Sequence, residues 1–207
     1  MSFLRRVIAG LYRRCRRLIG KPLPPPPIDE HRDYQRTWVD PAGKAYRMAV
    51  YERQHANGTK PLHSNPQPEE IAAILRREGV RRVLEIGCGW GRLATALASE
   101  FDVSGCDVSD DMLRLCPPEL RAFHLDVAVE NADFVRTNTG AWDALFTRGV
   151  MLYIVSDPTR LACALRTMLT LARGNVHCWE WPEVCDQLRR ACTDPRLVLH
   201  PMAHLNE

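Results

Sequence analysis

Val83 to Ala94 reads VLEIGCGWGRLA, and this stretch decides the fold class. An apolar run contains the acid Glu85, and glycines follow at positions 87, 89 and 91 before a helix-forming segment. Glycine lets the backbone turn sharply from a strand into a helix, and it lets a ligand approach where a Cβ would clash. Free N–H groups at the start of the helix would face that ligand. The stretch therefore predicts a strand, a turn and a helix that together form a ligand site.

Strand-like and helix-like segments alternate around this stretch. Upstream, Pro68 suits the first position of a helix and Gly79 suits the position just after its end. Strands are expected at 82–86, 102–106, 122–125, 144–146 and 175–179, and helices near 92–99, 109–115, 158–172 and 183–192. Such alternation predicts an α/β fold, in which helices cover both faces of a parallel sheet.

The positions of the three glycines separate two classes of cofactor. A dinucleotide site uses G-x-G-x-x-G, which requires a small third residue where this chain has Arg92. The string Glu85-Ile86-Gly87-Cys88-Gly89-Trp90-Gly91 instead resembles the first motif of the class I S-adenosylmethionine-dependent methyltransferases. Over residues 68–181 this resemblance implies a Rossmann-like, doubly wound and mostly parallel sheet, with S-adenosylmethionine as cofactor.

The resemblance also assigns residues to the cofactor. Asp107, which ends the second strand, matches the acid that binds the ribose hydroxyls; an acid that caps the next helix is the alternative. Asp126 matches the acid near the adenine amino group, with an ordinary loop acid as the alternative. The complete predicted cofactor-binding set is Glu85, Gly87, Cys88, Gly89, Trp90, Gly91, Asp107, Val108, Asp126, Val127 and Arg148.

The fourth strand ends in a segment expected beside the reacting methyl group. It reads WDALFTRGVMLYI from Trp142 to Ile154, which nominates Thr147, Arg148 and Gly149, with Tyr153 one turn later. A parallel sheet places its ligands at the carboxyl ends of its strands, so this placement is also expected physically. A surface salt bridge is the alternative for Arg148, and packing in the core is the alternative for Tyr153.

Methyl transfer needs a base only for some acceptors. The displacement depends mainly on holding the nucleophile and the methyl group in line, about 3 Å apart, with water excluded. A hydroxyl or a protonated amine would also need a proton acceptor, for which the sequence offers His31, His177, Glu180 and Tyr153. Tyr153 and His177 are taken as the catalytic candidates, although a histidine in a strand is also a common core residue.

The sheet is expected to be trimmed at its C-terminal end. Two further strands usually follow the fifth in this family, whereas only residues 194–207 remain here after the last predicted helix. Residues 196–200 can supply one strand. We therefore expect either an exposed sheet edge, which a partner could cover, or an incomplete wall of the active site.

Charge divides the chain into unlike parts. The formal net charge is +3, but residues 1–21 contain seven basic and no acidic residues, which leaves 21 basic and 25 acidic residues after them. Residues 1–21 are predicted to form a basic amphipathic helix with its apolar face over 3–19. A Pro-rich linker (22–27), a cap or lid region (28–67) and the methyltransferase domain (68–207) are predicted to follow.

The basic helix has three interpretations. Its arginine-rich polar face and wide apolar face suit an anionic membrane surface. Docking on the protein's own body or on a second subunit is the second interpretation. An RNA-binding arm or an organelle transit peptide is the third. Aromatic residues of the next region, Tyr34, Trp38, Tyr46 and Tyr51, form a candidate lid or simply pack.

Missing motifs narrow the function. The sequence has neither the Asn/Asp-Pro-Pro-aromatic string of amino-methylating DNA enzymes nor the Pro-Cys nucleophile of cytosine-5 enzymes. We therefore expect methyl transfer to an oxygen or nitrogen atom of a small-molecule, sugar or lipid-like acceptor. A non-catalytic S-adenosylmethionine-binding scaffold and an RNA methyltransferase that uses the basic arm remain as alternatives.

The compartment follows from the cysteines and the hydropathy. The eight cysteines include no Cys-x-x-Cys pair and no zinc-finger spacing, which indicates reduced thiols and no metal site. No apolar run approaches the roughly 20 residues that cross a bilayer. A cytoplasmic protein is expected, bound at most to the inner face of the membrane. The sequence leaves its oligomeric state open.

Overall fold

A six-stranded parallel sheet forms the centre of the protein. The computed structural model describes residues 66–202 and the single residue Ala49. The strands are β1 (Arg82–Ile86), β2 (Asp102–Asp107), β3 (Arg121–His124), β4 (Ala144–Arg148), β5 (Val176–Glu180) and β6 (Leu197–Pro201). They lie in the order β3-β2-β1-β4-β5-β6, and all five neighbouring pairs are parallel. The order reverses between β1 and β4, where doubly wound sheets bind their ligands.

Helices fill most of the connections. They are α1 (Pro68–Arg77), α2 (Arg92–Leu97), α3 (Asp110–Leu113), α4 (Ala132–Thr137), α5 (Pro158–Leu171) and α6 (Pro182–Ala191), with a 3₁₀ turn at Met151–Tyr153. Local chemistry fixes their first residues. The Asp157 side chain accepts the backbone N–H groups of Thr159 and Arg160 at the start of α5.

Alternate side chains of each strand enter two different cores. Val83 packs with the apolar faces of α1 and α2, whereas the next residue, Leu84, packs with α5 and α6. Both side chains are completely buried. Because helices cover both faces, strand residues are apolar on both sides. The prediction of a doubly wound α/β fold with a parallel sheet is confirmed.

The C-terminal end of the sheet agrees with the trimmed prediction. One strand, β6, follows the fifth, and its outer edge pairs with no other strand among residues 66–202. Two short elements were not predicted from the sequence. Helix α4 buries none of its residues, so its sequence lacks an apolar stripe, and the 3₁₀ turn is too short to show a period.

Several predictions concern residues outside the described part. The basic helix (1–21), the Pro-rich linker (22–27), the candidate lid aromatics and His31 all lie there, and of residues 28–65 only Ala49 is described. These assignments, and the division of the chain into domains, stay predictions. In the described residues no helix combines the length and the hydropathy that crossing a membrane requires.

Candidate active site at the carboxyl ends of the strands

A cavity of about 330 Å³ opens at the carboxyl edge of the sheet. Every strand contributes to it from its end or from the loop that follows. One residue for each strand, in chain order, is Gly87, Asp107, Asp126, Arg148, Trp181 and Met202. This volume is within the range of small-molecule sites, about 300–1,000 Å³.

The glycine loop forms the floor of the cavity where β1 ends. Gly87 has φ +71°, a conformation that side chains disfavour. A Cβ at this position would lie 2.3 Å from Val150 Cγ2. The N–H groups of Gly87 and Cys88 both donate to the Cys106 carbonyl oxygen, at 2.7 and 2.9 Å. The loop is therefore held against β2 and the segment after β4, with no space for a side chain at position 87.

Asp107 ties the glycine loop to the end of β2. Its Oδ2 accepts the Gly89 N–H at 2.8 Å, and its Oδ1 accepts the Ser109 N–H at 2.9 Å. Burial raises the pKa of this carboxyl, and the backbone N–H groups oppose the rise. A carboxylate offers about four lone-pair sites, so Asp107 can still accept a hydrogen bond from a ligand hydroxyl. The cap of α3 is Ser109, not Asp107.

Glu85 is a buried acid in the cavity wall. Its Oε2 accepts the Ala94 N–H at 2.9 Å. Burial raises its pKa to about 8, although this N–H and the positive charges of Arg92 and Arg148 act in the opposite direction. At neutral pH the carboxyl is therefore mostly protonated, and a cation entering the cavity would favour its ionised form.

Asp126 forms an ion pair inside the cavity. Its Oδ2 lies 3.2 Å from Arg160 Nη2, and its Oδ1 accepts the Ala128 N–H at 2.9 Å. Arg160 stands in the first turn of α5 and lines the cavity, a role that no sequence pattern indicates. The salt bridge fixes the Asp126 carboxylate at the end of β3.

The cavity brings together almost the whole predicted cofactor set. All of these residues line it except Gly91, and Tyr153 lines it as well. Gly91 caps α2, and a Cβ there would lie 2.5 Å from Leu120 Cδ2, so its role is close packing. Thr147 is buried and lies outside the lining.

His177, a catalytic candidate from the sequence, does not line the cavity. Its side chain is 1% exposed, and its Nε2 lies 3.1 Å from Glu78 Oε2. Its Nδ1 lies 3.1 Å from His200 Nε2. Both ring nitrogens therefore have hydrogen-bond partners outside the cavity lining. In a strand the side-chain direction depends on register, and His177 faces α1 rather than the carboxyl edge.

Trp181 and Met202 are among the lining residues that were not predicted from the sequence. Trp181 directly follows β5, and Met202 directly follows β6. The rule that parallel strands present ligands at their carboxyl ends would have nominated both once these strands were placed. Among the described residues, no group of three or more His, Cys, Asp or Glu side chains is arranged to hold a metal ion.

Residues 83–175 match a family model described as a methyltransferase domain. This part of the chain is a methyltransferase domain. The match begins in β1, includes the glycine loop and ends just before β5. The recognition of a class I S-adenosylmethionine-dependent methyltransferase from the Glu85–Gly91 motif is confirmed.

The chain is also similar to one named relative and to several solved structures. It is 45% identical over 47 residues to a protein of Geobacillus sp. (strain WCH70) named "Putative methyltransferase"; this segment is 22% of the chain and 19% of that protein. The chain thus spans about a fifth of that relative. Among solved structures, the chain is similar to that of the amino pentose methyltransferase CalS10 from Micromonospora echinaspora. The identity is 24%, the match covers 65% of this chain and 58% of that chain, and the TM-score is 0.47. Another is a TehB-like methyltransferase from Corynebacterium glutamicum (18% identity, 73% and 84%, TM-score 0.49).

The cavity of the methyltransferase domain fits S-adenosylmethionine, the cofactor of this class. Three acids at or near the ends of adjacent strands line it and can serve as hydrogen-bond acceptors: Glu85, Asp107 and Asp126. Val108 and Val127 supply apolar surface beside two of them. The close contact at Gly87 lets the backbone itself form the floor.

Proposed function

We propose that this protein transfers the methyl group of S-adenosylmethionine to an oxygen or nitrogen atom of a small-molecule, sugar or lipid-linked acceptor. The observation that supports this most is that one cavity is lined by the glycine loop, by the strand-end acids and by the aromatic residues Tyr153 and Trp181. The bound cofactor would supply an electrophilic methyl group on a sulfonium. The protein then has to bind, align and dehydrate the reactants, and no covalent residue is needed.

The acids would bind the cofactor end of the cavity. Asp107 would accept hydrogen bonds from the ribose hydroxyls, and Asp126 would accept one from the adenine amino group. Glu85 would face positive charge. Charged acceptors form stronger hydrogen bonds than neutral ones, so these contacts would contribute much of the affinity.

The other end of the cavity would hold the acceptor. Tyr153, Trp181 and Met202, which line the cavity, would present aromatic and apolar surface there. Apolar walls suit a carbon skeleton and exclude water from the transfer. Tyr153 is the one catalytic candidate that both the sequence and the cavity lining include, and its phenol oxygen would accept a hydrogen bond that orients a hydroxyl or amine acceptor.

Calorimetry with S-adenosylmethionine and S-adenosylhomocysteine tests the cofactor assignment. We expect binding that Asp107→Ala weakens at least tenfold. Asp102→Ala, at the exposed start of the same strand, serves as the control and should bind normally. No binding, or binding unaffected by Asp107→Ala, would refute the assignment. Binding without methyl transfer to any member of a broad acceptor panel would favour a non-catalytic scaffold.

We also propose that residues 3–19 attach the protein to an anionic membrane surface, on the strength of their sequence alone. Each basic charge near such a surface contributes about 1 kcal/mol. Co-sedimentation with phosphatidylglycerol vesicles should exceed that with phosphatidylcholine vesicles, and deletion of residues 1–27 should abolish it. Equal sedimentation of the truncated and complete chains would end the membrane proposal.

A further inference from the structure

Glu180 is a completely buried acid that holds the turn after β4. Its Oε1 accepts the N–H groups of Val150 and Met151, both at 2.8 Å. Glu180 is the last residue of β5, so these bonds join two neighbouring strand ends. The carboxyl group itself does not line the cavity.

The segment that Glu180 holds forms one wall of the cavity. Five of its six residues, from Gly149 to Ile154, line the cavity, and Tyr153 is among them. Val150 from the same segment fills the space above Gly87. The position of this segment therefore affects both the acceptor wall and the glycine loop.

Glu180 also connects to a second part of the cavity lining through its backbone. Its carbonyl oxygen accepts the Met202 N–H at 2.8 Å. Met202 and Trp181, the next residue after Glu180, both line the cavity. One residue thus joins the ends of β4, β5 and β6 beside the cavity.

A buried carboxyl is a costly way to build such a wall. Oε2 of Glu180 is one of two buried side-chain oxygen or nitrogen atoms in the described residues that lack a hydrogen-bond partner. Burial raises the pKa of Glu180 to about 7, and the N–H groups of the turn oppose the rise. Buried polar groups without full hydrogen bonding destabilise a fold, so a residue chosen for packing alone would be apolar.

We infer that Glu180 is a positioning residue for methyl transfer, which sets the place of Tyr153 and Val150 through the 149–154 turn. It is not the base that its residue type suggested in the sequence. The inference rests on the proposed function of the cavity, but the position of the turn can be measured without any ligand.

Fluorine NMR of protein labelled with 3-fluorotyrosine measures that position. The chain has five tyrosines, and the Tyr153→Phe variant assigns the Tyr153 resonance by its absence. Glu180→Ala removes the acceptor of both N–H groups, so we expect the Tyr153 resonance to shift or broaden. Affinity for S-adenosylhomocysteine should fall roughly tenfold, because the displaced turn carries Val150, which packs against the glycine loop.

Glu180→Gln separates positioning from stability. The Gln carbonyl oxygen can still accept both N–H groups, while its NH₂ group replaces the partnerless oxygen and is itself left buried without an acceptor. We expect a lower Tm but a Tyr153 resonance and an affinity, within about twofold, like those of the wild type. Glu130→Ala, at an exposed loop position, is the matched control and should change nothing.

The outcomes divide clearly. A folded Glu180→Ala variant with the wild-type Tyr153 resonance and affinity would overturn the inference. A Glu180→Gln variant whose Tyr153 resonance shifts as much as that of Glu180→Ala would overturn it too. If Glu180→Ala does not fold, Glu180→Asp decides in the same way, because it withdraws the carboxylate by one methylene. If the wild type itself does not bind S-adenosylhomocysteine, the proposed function fails, and the resonance still tests Glu180.

Discussion

Val150 occupies the space that a side chain at Gly87 would need: an added Cβ would lie 2.3 Å from Val150 Cγ2. The two residues belong to the loops after β1 and β4, on the two sides of the point where the strand order reverses. Their contact closes the bottom of the cavity and couples the cofactor loop to the turn that Glu180 holds.

Gly87→Ala should therefore both strain and displace the glycine loop. We expect S-adenosylhomocysteine affinity to fall more than tenfold and the unfolding free energy to drop by about 1–3 kcal/mol. Gly79→Ala is a matched control for strain, because Gly79 has φ +67° and nothing within 4 Å of the added Cβ. The double variant Gly87→Ala/Val150→Ala removes the clashing methyl and should regain part of the affinity. No recovery would argue against the contact as the cause.

Cofactor binding should release protons near neutral pH. Glu85 lines the cavity with its pKa raised to about 8, so it is largely protonated at pH 7. A cationic ligand lowers the pKa of a neighbouring carboxyl. Calorimetry of S-adenosylmethionine binding in phosphate and in Tris should give different apparent enthalpies, corresponding to up to about one proton. Glu85→Gln should reduce the difference, and buffer-independent enthalpies for the wild type would contradict this prediction.

Asp126 should make the site selective for adenine. S-inosylhomocysteine replaces the amino group with a carbonyl oxygen, which would face the Asp126 carboxylate without a donor. We expect the wild type to bind it at least tenfold more weakly than S-adenosylhomocysteine, and Asp126→Ala to remove most of this preference. Arg160→Ala should weaken it too, because the 3.2 Å ion pair holds Asp126 in place. Arg166→Ala, exposed on the same helix, is the control.

His200 should make the fold less stable in mild acid. Burial, His177 and Arg77 lower its pKa to about 4, and Glu78 opposes them. A histidine in the unfolded chain has its ordinary pKa of about 6.5, so the stability from a neutral His200 is complete above that pH and is lost as pH falls towards 4. Thermal unfolding of the wild type should therefore show a larger loss of Tm between about pH 7.5 and 5 than that of His200→Gln. Equal losses would show that His200 does not titrate in this way.

The strand-end acids were predictable because sequence and topology agree on them. Asp107 follows an apolar run, and the carboxyl ends of parallel strands meet at one edge. An acid at the end of a buried strand must therefore lie near the ligand, whatever the details of packing. The glycine loop was predictable for a similar reason, since a strand-to-helix turn of this length requires positive φ.

Side chains whose direction depends on distant contacts were not predictable. His177 and Glu180 lie on the same short strand, yet one bonds to Glu78 beside α1 and the other to the turn after β4. Their partners are 99 and 30 residues away in sequence. A residue type indicates which interactions a side chain can form, but not which neighbouring residue it contacts.

The sequence by itself determined the class of fold, the cofactor loop and the acids at the strand ends, because these follow from local backbone geometry and from the alternation of strands and helices. Only the tertiary structure decided that Trp181 and Met202 line the cavity, that Arg160 forms an ion pair with Asp126, and that the Glu180 carboxyl group bonds to the turn after β4. These roles depend on register and on packing between elements far apart in the chain. Hydrophobic patterning determines which face of a strand or helix is buried. The neighbours of each side chain on that face are determined by the register of the adjacent strands.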